Sequence, residues 1–106
     1  MDFLKMMTKA KQLQERMGTL QEEVAAIEVE GSAGAGLVTV TLTGKGVLKA
    51  ISVDPSLLKP EEKEILEDLI LAAHAEAKAK SENLLAERTQ ALMGEIGLPP
   101  GIKLPF

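Results

Sequence analysis

Phe3, Met6, Ala10, Leu13, Met17, Leu20, Val24 and Ile27 follow one another at intervals of 3, 4, 3, 4, 3, 4 and 3 residues, an apolar heptad row. The spacing predicts a long helix over residues 1–28. Gly18 lies beside the row and costs roughly 1 kcal/mol against alanine in a helix interior, so it marks the weakest point. A second long helix is predicted over 60–94. Pro60 stands at its first turn, and Glu61, Glu62 and Glu64 follow where the macrodipole favours acids. Leu66, Ile70, Ala73, Ala77, Lys80, Leu84 and Ala91 share one face of it. Two such helices are ~40 and ~50 Å long, whereas a compact domain of this size has a radius of gyration of ~13 Å. They must therefore project from a small body. A projecting apolar row needs a cover, and a homodimer formed through the sheet, the helices or both is the simplest one.

Residues 27–54 read as antiparallel strands. Val38, Val40 and Leu42 alternate with threonines, the period-2 pattern of a half-buried strand. Thr43-Gly44-Lys45-Gly46 is a turn, and Val47 to Val53 returns as a second strand. Ile27-Glu28-Val29-Glu30 alternates as well and supplies a third. The intervening Gly31-Ser-Ala-Gly-Ala-Gly36 reads as a helix stop followed by a bend or a mobile connection. Asp54-Pro55 ends the sheet, since proline cannot donate to a ladder. Residues 95–106 hold three prolines and read as an extended tail. The whole is an α+β chain of one domain, 1–106: long N-terminal helix, three-stranded antiparallel sheet, long C-terminal helix, tail.

The chemistry this chain lacks is informative. The 106 residues contain no cysteine, tryptophan or tyrosine, one histidine, and two phenylalanines at positions 3 and 106. Disulfides, thiolate metal sites and cysteine nucleophiles are excluded, and His74 alone cannot complete a metal shell or a triad. No serine sits in a nucleophile elbow, and Gly34-Ala35-Gly36 precedes a strand where a dinucleotide fingerprint would follow one. Neither an enzyme nor a cofactor is expected. No segment has the length and apolarity of a membrane span, and a cytoplasmic protein is expected.

Net charge is −4, which on its face opposes phosphate-rich partners. The distribution says more. Residues 1–18 carry two more bases than acids, whereas residues 19–30 carry four acids and no base. Lys5, Lys9, Gln12 and Arg16 are spaced 4, 3 and 4, which places them on one side of the first helix beside the apolar row. Bases in a first helical turn oppose the macrodipole, so helix stability does not explain them. They read either as a phosphate-contacting edge or as solvated flanks of an apolar seam. Without aromatic rings, stacking on single-stranded bases has no carrier.

Met6-Met-Thr-Lys-Ala-Lys-Gln-Leu-Gln14, Gly34-Ala-Gly-Leu-Val-Thr-Val40, Val53-Asp-Pro-Ser-Leu-Leu58, Glu67-Asp-Leu-Ile70 and Leu98-Pro-Pro-Gly-Ile-Lys-Leu-Pro-Phe106 follow one another along the chain. In their joint order and spacing these stretches resemble the YbaB/EbfC family of bacterial nucleoid-associated proteins. The resemblance covers the whole chain. It implies a tweezer-like homodimer, double-stranded DNA as partner, a nucleoid location, and a role in nucleoid organisation or transcription modulation. In that family the helical arms are implicated in DNA contact. Here this points to Lys5, Lys9, Lys11, Gln12 and Arg16, with Arg88 near the tip of the other helix. The competing expectation is a dimeric adaptor that recruits a protein through the exposed heptad row.

Overall fold

Residues 2–97 are described by a computed structural model. Helix α1 spans Phe3–Ala26, followed by strands β1 (Glu28–Ala33), β2 (Val38–Thr43) and β3 (Leu48–Val53); two short 3-10 turns lead into helix α2 (Lys63–Ile96). The molecule extends 68 × 22 × 18 Å with a radius of gyration of 19.2 Å, well beyond the ~13 Å of a compact domain of this length. The projecting helices expected from their lengths are present.

The sheet is an antiparallel meander in the order β1-β2-β3. Val38, Val40 and Leu42 of β2 are buried beneath α2, where they form the first core with Leu57, Ala73 and Ala77. Strand β1 runs three residues further than its alternating pattern predicts, through Gly31, Ser32 and Ala33. The reason is a close helix approach. A Cβ built on Gly31 would lie 2.2 Å from the Ala73 carbonyl oxygen and 2.4 Å from the Ala77 nitrogen, so only glycine lets this strand meet α2. The link between β1 and β2 is correspondingly shorter. Gly34, Ala35 and Gly36 all take left-handed backbone angles, with φ of 65°, 56° and 90°, and the Leu37 N–H donates to the Gly34 carbonyl at 3.2 Å. Three successive such residues explain the glycine density here.

Two further sequence expectations shift. The buried face of α2 passes through Ala73, Ala77 and Ser81, not Lys80. The Ser81 hydroxyl donates to the Lys78 carbonyl at 2.8 Å, which satisfies it inside the helix. Lys80 stays outside, donating to the Glu30 carbonyl at 2.8 Å and pairing with Glu76. Helix α2 also continues to Ile96, two residues past its expected end, and is capped by Gly97 in a left-handed conformation. Residues 98–106 of the expected tail lie outside the described residues.

Directly after β3, Asp54 caps the 3-10 turn Pro55–Leu57, its carboxylate accepting from the Ser56 N–H at 2.9 Å. This backbone hydrogen bond, then the side-chain bond from the same residue, holds the Asp54 carboxyl below its usual range.

A second core joins the helices. Met17, Leu20 and Val24 of α1 pack on Leu92, with Leu13, Leu84, Leu85 and Ile96 around them. The heptad row is thus covered within the chain only from Leu13 onward; residues 2–12 are exposed throughout. Helix α1 passes unbroken through Gly18, and a Cβ added there meets nothing within 4 Å. Gly18→Ala is therefore expected to stabilise the fold by about 0.5–1 kcal/mol, seen as a higher urea midpoint; an unchanged or lower midpoint would contradict a regular helix at this position.

Candidate nucleic-acid interface

Helices α1 and α2 run antiparallel: Val24 lies near Leu84, and the Arg16 guanidinium pairs with the Glu95 carboxylate. Because Arg16 is level with the last turn of α2, the ten residues Phe3 to Gln12 project past it as an arm free of contact with other elements among the described residues. At 1.5 Å per residue the arm reaches ~15 Å. Asp2 caps it, its carboxylate accepting from the Leu4 N–H at 3.1 Å.

The basic residues separate into two groups. Lys5, Lys9 and Lys11 are exposed on the free arm, and none takes part in an ion pair among the described residues. Gln12 sits at the arm's base on the same side as Lys5 and Lys9. Lys11 lies on the order of 140° around the helix from the Lys5–Lys9 row, so arm bases are presented to two sides. Arg16 and Arg88, by contrast, line a cleft between the helices. Arg88 stands about two turns back from the end of α2. The same cleft contains Glu23 and Glu95, so its charges cancel.

Sequence reasoning placed the bases but missed the carboxylates that face them. The pairing of Arg16 with Glu95 joins positions 79 residues apart, which no local spacing reveals. One signal was present: Arg88 and Glu95 are seven apart and so share a face of α2. Apolar residues also mark the arm. Phe3 is 71% exposed and Met6 53%, the unpartnered end of the heptad row.

A different exposed surface lies on the sheet. Helix α2 covers β1 and β2, while every residue of β3 but Val53 is exposed. Val40 pairs with Ile51, Leu42 with Leu48 and Val38 with Val53. Partners across an antiparallel pair point to the same face, so Leu48 and Ile51 continue the core face of β2 as exposed side chains, while Val53 on that face packs against the first core.

The sequence profile of the YbaB/EbfC DNA-binding family matches residues 1–96. The chain belongs to this family. Among curated relatives within it, a nucleoid-associated protein of Brucella anthropi is 56% identical over 105 residues, covering 99% of this chain and 98% of its own. One from Brucella ovis matches to the same extent. Among solved structures, the uncharacterized protein HP0035 from Helicobacter pylori superposes with a TM-score of 0.75 over 92% of this chain and 99% of its own, at 24% identity; that likeness bears on the fold. Family membership makes DNA binding the setting in which the arm and cleft are to be understood. No helix among the described residues is long and apolar enough to cross a membrane.

Proposed function

We propose that a homodimer of this chain binds double-stranded DNA in the nucleoid, mainly through backbone phosphates met by the bases of its two arms, and so organises the nucleoid or modulates transcription. The observation that carries this reading is the free arm: Lys5, Lys9 and Lys11 stand on an exposed helix end and take part in no ion pair among the described residues. Lysine is a point charge that suits phosphate contact and carries little base specificity. Gln12 adds donors at the arm's base, and Arg16 and Arg88 add them in the cleft behind it. The supply of bases per chain is small, so two arms acting together are needed for useful affinity. The exposed Leu48 and Ile51 on the core face of β3 support dimerisation through the sheet, since a second copy would bury them.

The test is duplex binding by fluorescence anisotropy across a salt series. Lys5→Glu/Lys9→Glu is expected to weaken binding by ~10-fold or more for all sequences alike and to reduce the salt slope by roughly one for each phosphate no longer neutralised. Both positions are exposed, so fold and assembly should be unchanged. Parent-like affinity in this variant would remove the arm from the interface. Absence of binding by the parent at low salt would favour instead the adaptor reading, in which the exposed Phe3 and Met6 receive a protein.

A further inference from the structure

We propose that the cleft between α1 and α2 is a seat for a backbone phosphate of duplex DNA, and that Glu95 occupies its guanidinium, Arg16, until the phosphate displaces it. This rests on the DNA-binding reading above and adds a site to it. The cleft is open to solvent, about 590 Å³ in volume, and presents Arg16 and Arg88 from opposite helices. Two arginines lining one cleft are an arrangement suited to a phosphate, whose oxygens accept paired N–H donors. The two arginines are not equally available. Arg88 is in no ion pair among the described residues, whereas Arg16 is held by Glu95.

That hold is weak by construction. The side chains of Arg16 and Glu95 are 46% and 59% exposed, and pairs so hydrated contribute little to stability. A phosphate can therefore take over the guanidinium without disturbing the fold. The displaced carboxylate then remains beside the phosphate and repels it. It also takes up a cation as the phosphate loses one, so the Arg16 contact yields almost no net counterion release. Glu95 thus lowers both the affinity of the arm and its dependence on salt, a property that neither residue has alone.

The experiment compares parent, Glu95→Gln, Arg16→Gln and the double variant by duplex anisotropy over a salt series, with Glu82→Gln as a control acid on α2 that lies outside the cleft. Glu95→Gln is expected to bind roughly two- to five-fold tighter per arm, with a salt slope steeper by about one per arm. Both gains should vanish in the Arg16→Gln background, and Glu82→Gln should give neither. The proposal is overturned if the parent binds but Glu95→Gln matches it, if Glu82→Gln gives the same gain, or if the gain survives without Arg16. A parent that does not bind duplex at all overturns the DNA reading together with this one, and the two failures are thereby told apart.

Discussion

Gly31→Val is expected to prevent cooperative folding at ambient temperature, and Gly31→Ala to lower stability by roughly 3 kcal/mol, at the upper end of what overpacking costs. The atoms in the way are backbone: the Ala73 carbonyl oxygen, the Ala77 nitrogen and, at 3.0 Å, the Ala77 Cα. No rotamer change can move them, so α2 must lift from β1. That separates Ala73 and Ala77 from Val38, Val40 and Leu42, the centre of the first core. Against a total stability of order 5–15 kcal/mol for a domain of this kind, such a loss is decisive. Urea unfolding followed by far-ultraviolet circular dichroism reads it directly. A valine variant with the parent's midpoint would mean that α2 and β1 do not meet as described.

Ile51→Glu is expected to leave the proposed dimer as a monomer with its fold intact. Ile51 is 46% exposed within the chain, so the substitution removes little from the subunit itself, yet it would place a carboxylate on the face that a second copy would cover. Sedimentation at micromolar concentration distinguishes the two states. DNA binding should fall with assembly, because linking two weak sites raises avidity by 10²–10⁴ and a monomer forfeits that factor. A variant that stays dimeric would move the interface away from β3. A variant that is monomeric but binds duplex as tightly as the parent would show that one arm suffices.

Much of this architecture can be read from residue order because its signals are periodic. The heptad row locates α1, and alternation with threonine locates β2. Periodicity reports which face of an element is apolar, but it is silent about what covers that face. The row of α1 is uniform from Phe3 to Val24, yet only the part from Leu13 onward meets α2, since that depends on where a helix 70 residues later stops. Gly31 shows the same limit from the other side. Local rules read glycine as punctuation, and it is a strand residue here because of a helix contact more than 40 residues away. Between Ala77 and Leu84 both Lys80 and Ser81 fit a helical stripe, and only the direction of the packed face chooses the serine. The candidate site divides in the same manner: the arm lysines are visible as a local charge pattern, whereas the carboxylate that masks Arg16 comes from the opposite end of the chain.

The ten-residue arm has a thermodynamic consequence. A helix of that length is marginal in water when isolated, and Lys5 in its first turn opposes the macrodipole. Its helical state is inherited by continuity from the packed stretch that begins at Leu13, so the free energy of local opening falls toward the tip. The residues proposed to meet DNA first are thus the easiest to unwind. On that proposal, a phosphate that neutralises Lys5 removes part of the charge that opposes the helix, which makes arm helicity and DNA occupancy two sides of one equilibrium. Affinity should then decline with temperature faster than charge neutralisation alone predicts, and amide exchange in residues 3–12 should slow on binding while that of the sheet stays as it was.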